Sequence, residues 1–380
     1  MIVSNDMLHD SRVDRHAEAL GALGHDVTVI CYASALNQVQ FERKKHYDIM
    51  RIRSQRALIA RKLFHTKTSD GITSRLQNAG RIASLVISAR ISLYFLMLRA
   101  RVDVCYCNDL DTLDVGIVMK LVGRRVVYDS HELYVDMLPI GVRRRIYELF
   151  ERAFVNFADV IITVNPNIAS ELRRRYNIKK RVHVVLNCPD VPTRQSVSQS
   201  FKEQVTVLYH GRLDEDRGLE NLVAASKMFE ADVRLVIRGE GKLEKRLRQL
   251  ATGSANVHFE LSVPLHRIVQ AASEADIGII PYVATNLNQL YCSPNKLFEY
   301  IQGGLALVTS NLPFLQKIVK ENEIGDVFNA LDPFDIARKV NSVSRRENLF
   351  SFRRNVFRIR EHYSWAAEKR KLYAAFNELL

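Results

Sequence analysis

At 380 residues the chain is too long for one ordinary domain, and two domains are expected. Apolar residues make up 47%, enough for a core in each half and too many for a disordered chain. The formal net charge of +13 is uneven: residues 1–187 hold 29 Lys/Arg against 19 Asp/Glu, and residues 188–380 hold 26 against 23. A basic half calls for an anionic partner, whether nucleic acid, phosphorylated substrate or anionic lipid, with a solvated basic face as the plainer alternative.

Short apolar runs alternate with longer helical stretches along the whole chain. Strands are predicted at residues 2–4, 27–31, 104–107, 126–128, 160–164 and 183–186, with helices at 12–23, 112–122 and 167–176 among those between them. The second half repeats the scheme, with strands at 205–210, 233–238, 257–259, 277–280 and 306–309. Such alternation predicts an α/β protein with two doubly wound parallel sheets covered on both faces. Between them CPDVPTRQSVSQSFKEQ has prolines, serines and no apolar period, and reads as a linker. The expected domains are 1–187 and 188–363, with a C-terminal helix at about 364–380 packing back onto the first. Ligands of open parallel sheets bind beyond the carboxyl ends of the strands, so the cleft between two such domains is the default site.

The five cysteines, Cys31, Cys105, Cys107, Cys188 and Cys292, are odd in number and irregularly spaced, so neither a disulfide framework nor a zinc site is expected. The chain opens on strand-like MIVS, with no signal-peptide pattern. The uncharged runs in RIASLVISARISLYFLMLRA fall far short of the ~20 residues that span a bilayer. A cytoplasmic protein is expected.

Two strand ends carry chemistry. Strand 205–210 runs into GRLDEDRGLENL, where Gly211 allows a tight turn and Arg212 and Arg217 precede a helix. Two guanidiniums at a helix N-terminus suit a diphosphate, because arginine offers always-charged, bidentate contacts. The alternative pairs Arg217 with Asp214 or Asp216. Strand 277–280 leads to CSPNKLFEYIQGG, read as a helix with Ser293 as N-cap, Pro294 in the first position and Gly303-Gly304 at its end. The amides of Asn295 and Lys296, with the lysine charge, would attract an anion. Glu299 would repel phosphate, so its useful partner is a pair of hydroxyls, as on a ribose; a solvated helix face is the alternative.

YHGRLDEDRGLENL, LVIRGEGKLEKRL, VHFELSVPLHRIVQAASEADIGIIPY and SPNKLFEYIQGGLALVTSN occur in the order and spacing of family 4 (group 1) glycosyltransferases of the GT-B fold, which the chain resembles. DSRVDRHAEALGALGHDVTVI, VVYDSHELY and HYSWAAEKRKLY extend the likeness over essentially the whole length. The resemblance implies two Rossmann-like domains facing across a cleft, the second binding a nucleotide-diphosphate sugar. It places Arg212 and Arg217 on the donor diphosphate, with arginine at the second position where the family has lysine. It places Glu299 on the donor ribose. The family's first glutamate, separated from the second by seven intervening residues, would fall at Tyr291 and is missing. The resemblance gives His131 a catalytic role beside the transferred sugar or acceptor, with a loop-capping histidine as the alternative. Asp10, Arg12, Asp109 and Glu132 are acceptor-side candidates.

The expected reaction is retaining transfer of a hexose to a hydroxyl acceptor, a glycan or lipid-linked intermediate of bacterial cell-surface polysaccharide or lipopolysaccharide synthesis. No cofactor and no metal are expected, since Arg212, Arg217 and the helix start supply the charge. Asp109-Leu110-Asp111 spells a DxD, but it follows a first-domain strand, and Asp111 and Asp114 read as helix caps. Gly239-Glu240-Gly241 lacks a third glycine. Arg143–Arg145 and Arg173–Arg175 read as exposed helix faces. Basic residues interleaved with apolar ones at 51–100, among them Arg61, Lys62, Lys67, Arg75, Arg81, Arg90 and Arg99, mark a possible anionic membrane contact, peripheral on the inner face. No nucleic-acid module is present. A nucleotide-sugar epimerase and a non-catalytic basic binding protein remain open as alternatives.

Overall fold

The computed structural model describes residues 1–8, 10–34, 37–52, 90–191 and 203–379. The chain divides into two compact units: Met1–Thr163 with Leu172–His183 and Leu372–Leu380, and Val164–Glu171 with Val184–Lys371.

In the first unit, β1 (Thr28–Tyr32) pairs in parallel with β3 (Asp48–Ile52), and β2 (Phe41–Arg43) adds an antiparallel edge. A second sheet runs β4 (Val104–Asn108), β5 (Arg125–Ser130), β6 (Val160–Thr163) and β7 (Val182–Val184). The expected first strand is reduced to one residue: Ile2 bridges Ile30 on one side and Cys107 on the other, joining the two sheets. The β2–β3 hairpin was not anticipated, because FERKKHYDI is charged and half-exposed and carries no clean alternation.

In the second unit the order is β10-β9-β8-β11-β12-β13, from Val257–Glu260, Val233–Arg238, Val205–His210, Ile277–Ile280, Ala306–Ser310 and Gly325–Phe328, with every neighbour pair parallel. In chain order this is 3-2-1-4-5-6, whose direction of winding reverses between β8 and β11. β8, β11 and β12 are buried throughout, which explains why they are mostly apolar.

The boundaries differ from the sequence reading in three ways. Segment Val164–Glu171 belongs to the second unit. The stretch after β7 is packed: Cys188 is fully buried, Leu186 N donates to Glu368 (2.9 Å), and Trp365 N donates to Pro189 O (3.0 Å). The helix Trp365–Asn377 begins in the second unit and ends in the first, where Tyr373 Oη donates to Ala19 O and Phe376 stacks on Tyr106. All five cysteines are free, and Cys105 and Cys107 are core residues.

Among the described residues no helix is long and apolar enough to cross a membrane. Most of the 51–100 stretch, including Arg61, Lys62, Lys67, Arg75 and Arg81, lies outside the described residues, as do 192–202 of the expected linker. Arg90 does not contribute to a basic face. Its guanidinium is spent on Asp114 (Nε–Oδ2 2.6 Å) and Tyr32 (3.2 Å). Asp114 therefore holds Arg90 and Tyr94 instead of capping a helix.

Candidate functional site

The reversal point of the second unit lies at the ends of β8 and β11, and there the sequence candidates gather. Gly211 follows β8 with φ +128°, and its N–H donates to Arg238 O (2.9 Å). A Cβ on Gly211 would lie 3.0 Å from Lys296 Nζ, so the glycine keeps room for that amine.

Lys296 sits in the first turn of the helix Asn295–Gly303, which starts one residue later than expected: Pro294, not Ser293, is the N-cap. Pro294 N-caps with extended backbone and has no side chain to bond the first amides, so Ser293 Oγ is left buried without a hydrogen-bond partner among the described residues. The helix ends as expected, with Gly304 in the left-handed region at φ +76°.

Lys296 is only 5% exposed, and its Nζ has no hydrogen-bond partner among the described residues. The amine lies 3.7 Å from the centroid of the Tyr209 ring and 5.0 Å from that of Tyr282. Arg217 lies over the same Tyr282 ring at 4.4 Å. Burial, and then the Arg217 charge, push the Lys296 amine well below its ordinary pKa. The Lys296 amine and the Arg217 guanidinium thus share the Tyr282 ring, a pair of basic groups suited to an anion.

Arg217 pairs with Asp216 (3.3 Å) and is three-quarters buried. Arg212 is different: its side chain is 76% exposed and donates to Asp214 (2.7 Å). Its carbonyl accepts from Tyr209 Oη (2.6 Å), which fixes the ring beneath Lys296. Asn295 Oδ1 accepts from Asn187 Nδ2 (2.9 Å).

Glu299 is not on a solvated face. It is 8% exposed, and its Oε2 lies 2.7 Å from His210 Nε2. His210 is itself buried, and burial lowers its pKa against the pull of Glu299, so the neutral ring donates through Nε2. Tyr300 Oη accepts from the His210 backbone N–H (3.0 Å). Tyr291, where a first glutamate is missing, is tied by its carbonyl to Asn165 Nδ2 (2.6 Å).

In the first unit a second cluster lies where Ile2, β4 and β5 end. Asp10 caps the helix Ser11–Ala22, accepting from Val13 N (3.0 Å). Arg12 is buried and bidentate on Asp129 (Nε–Oδ2 3.0 Å, Nη2–Oδ1 2.7 Å), so its charge is committed inside the unit instead of facing an acceptor. Tyr106 Oη also donates to Asp129 (2.9 Å), and His16 Nδ1 lies 2.7 Å from that hydroxyl. Burial works against a charge on Asp129, but Arg12 and then His131 hold it well below the usual carboxylate range.

His131 stands between two carboxylates, with Nδ1 3.2 Å from Asp109 Oδ2 and Nε2 3.4 Å from Asp129 Oδ2. The second contact is the longer of the two, and it too faces a carboxylate oxygen. Burial lowers the His131 pKa, but Asp109 and Asp129 carry it up to about 10. Asp109 also accepts from His131 N (3.0 Å), and it does so from a backbone at φ 64°, ψ 167°, a region that only glycine occupies easily. Glu132 is exposed, and its backbone carbonyl accepts from Ser130 Oγ (2.9 Å).

Sequence reasoning did not single out His210, Tyr209, Tyr282 or Asp129. His210 and Tyr209 were visible as the last residues of a strand, and Asp129 as the first residue of DSHELY. Their partners lie 89, 87, 14 and 117 positions away and left no local trace.

An open parallel sheet in 3-2-1-4-5-6 order, with arginine, lysine and glutamate at its reversal point, defines a nucleotide-type α/β domain. A family model described as glycosyl transferase 4-like domain matches residues 10–188, and one described as glycosyl transferases group 1 matches residues 190–356. The chain belongs to the group 1 glycosyltransferases, and its paired α/β domains are of the GT-B type. It is similar to alpha-maltose-1-phosphate synthase of Mycolicibacterium smegmatis, 25% identical over 202 residues, which is 46% of this chain and 49% of that protein. The match thus spans about half the length of that relative. In fold it is similar to sucrose-phosphate synthase from Thermosynechococcus elongatus, with a TM-score of 0.72, 17% identity and coverage of 97% of this chain and 92% of that one. It is likewise similar to HepE of Anabaena in complex with UDP and glucose, with a TM-score of 0.72, 14% identity and coverage of 99% and 98%.

Proposed function

We propose that this protein transfers a sugar from a nucleotide-diphosphate sugar to a hydroxyl acceptor, with retention at the anomeric carbon and without a metal. The single observation that carries the reading is Lys296: a buried amine with no hydrogen-bond partner among the described residues, beside Arg217, at the strand-reversal point of the second unit. In this reading a diphosphate takes the Lys296 amine, the Arg217 guanidinium, the Ser293 hydroxyl and the first amides of the Asn295–Gly303 helix. Glu299, held through one oxygen by His210, offers its other oxygen to the hydroxyls of the nucleoside. As the glycosidic bond breaks, negative charge grows on the leaving phosphate, and these fixed donors stabilise it without reorganising. Arg212, exposed and paired to Asp214, serves from the rim after exchanging that partner.

The first unit is the acceptor-binding half in this reading. His131, charged near neutral pH, acts there as a fixed positive charge and not as a general base. Asp109 and Asp129 orient it, and Arg12 neutralises Asp129. The acceptor is a glycan or lipid-linked intermediate of cell-surface polysaccharide synthesis, at the inner face of a membrane.

Calorimetric binding of UDP-, GDP- and ADP-sugars, followed by acceptor-dependent release of nucleotide, tests the reading. The complex of HepE with UDP and glucose makes uridine donors the first to try. Conversion of the donor without an acceptor would identify an epimerase instead. Absence of binding by every nucleotide sugar would leave a non-catalytic protein.

A further inference from the structure

The helix Val142–Phe154 is built inside out. Helices on a protein surface turn apolar residues inward and charges outward. Here Glu151 is the buried residue, 2% exposed, with Oε1 accepting from Tyr128 Oη (2.8 Å) and Oε2 from Tyr176 Oη (2.7 Å). Arg144 also turns inward, donating to the buried Asp136 (2.7 Å), which Arg175 reaches as well.

The outward stripe is apolar. Val142, Ile146 and Leu149 follow at i, i+4 and i+7 and are 75%, 59% and 65% exposed. Ile140, in the turn before the helix, is 93% exposed. Arg143, Arg145 and Arg152 flank this stripe and are exposed. The helix has one other acid, Glu148, paired with Arg152 at 3.7 Å.

We infer that this face of the first unit docks on an anionic lipid surface, with Ile140, Val142, Ile146 and Leu149 entering the headgroup boundary and Arg143, Arg145 and Arg152 meeting lipid phosphates. Charge complementarity selects the occupant. Branched aliphatics flanked by arginines are the composition of a helix that lies in the membrane interface, whereas the cores of protein interfaces favour aromatics, and Ile140, Val142, Ile146 and Leu149 include none. The half of the chain that bears the helix is also the basic one, with 29 Lys/Arg against 19 Asp/Glu. The inference deepens the proposed membrane-side function and moves the contact from 51–100 to 140–152. It rests on the first unit's surface alone and does not require the donor site to be as proposed.

Flotation of the full chain with phosphatidylcholine vesicles, with and without phosphatidylglycerol, tests it. The wild-type chain floats only with the anionic vesicles. Ile146→Ser with Leu149→Ser lowers the partition coefficient about tenfold or more. Arg143→Gln with Arg145→Gln lowers it about fivefold per arginine and removes most of its salt dependence. Because these side chains are exposed, the melting temperature stays at the wild-type value, which separates lost docking from lost folding. Nucleotide-sugar binding is measured on the same variants: its absence throughout, with flotation intact, would sink the donor reading and leave the docking face standing. Three results overturn the face: no flotation of the wild-type chain, flotation unaffected by either pair, or loss only on Arg61→Gln with Lys62→Gln. A dimer that the Ile146/Leu149 pair dissociates, without vesicle binding, would assign the face to a second copy of the chain.

Discussion

His210 Nε2 and Glu299 Oε2 are 2.7 Å apart, joining the last residue of β8 to the middle of the Asn295–Gly303 helix. The bond spans 89 positions of sequence and fixes the carboxylate at the strand-reversal point. Glu299→Ala should weaken nucleotide-sugar binding by ~2 kcal/mol through lost hydroxyl bonds. His210→Phe should cost stability by about 1–3 kcal/mol, since it leaves a buried carboxylate oxygen unpaired, and should weaken binding less than Glu299→Ala does. Titration calorimetry and urea denaturation read the two quantities; equal affinity for wild type and Glu299→Ala would leave the pair a purely structural one.

Lys296 makes the opposite trade. A buried amine without a hydrogen bond destabilises the empty protein, so Lys296→Met should keep or raise the melting temperature. The same change should weaken UDP binding by about 1.5–3 kcal/mol, the worth of a hydrogen bond to a charged group. Burial and Arg217 depress the amine's pKa, so stability from this site is fullest above the ordinary lysine pKa and falls as pH drops through the depressed value. A bound diphosphate counters both causes. UDP binding should therefore take up a proton, seen as a difference in calorimetric heat between phosphate and Tris buffers; identical heats would contradict it.

Around Asp129 two histidines titrate in opposite directions. His16, lowered by burial and by Arg12 from 6.5 to about 4, is neutral in the folded unit. Unfolded chains bind the extra proton first, so stability from His16 is complete above 6.5 and is lost as pH falls toward 4. His131, raised from 6.5 to about 10, gives stability that is complete below 6.5 and is lost as pH rises through 10. Imidazole NMR should show one ring charged and one neutral, both unchanged from about pH 5 to 9. A His131 signal titrating near 6.5 would refute the two-carboxylate clamp.

Gly218 precedes the Leu219–Ser226 helix at φ +64°, and a Cβ there would lie 1.8 Å from Pro281 O. Gly218→Ala should destabilise by about 1–3 kcal/mol, because strain and clash coincide. It should also weaken UDP binding, since neighbouring Arg217 rests on Tyr282, the residue after Pro281. A chemical melt at the wild-type midpoint would count against it.

The second unit was the more legible of the two. β8, β9 and β11 run over the residues that their apolar patterns predict, because a strand buried on both faces is rich in apolar residues. β2, β3 and β13 were missed: the first two mix charged residues with apolar ones, and Gly325–Phe328 is too short for a period. At the site, Lys296 and Glu299 were readable from their positions on a well-terminated helix. Their depth was not, since it depends on Tyr209, Tyr282 and His210 arriving from distant strands. Arg12 was misjudged for the same reason: nothing near it in sequence announces Asp129.

Asp109 binds both the main-chain amide and the ring of His131 from a backbone geometry where side-chain-bearing residues are uncomfortable. Folding thus keeps a small load under tension at the edge of β4. Asp109→Gly would relax that load, but it would also take away the acceptor of the His131 amide and the carboxylate that keeps the ring charged. The tension is tolerated because one side chain grips the histidine at two points.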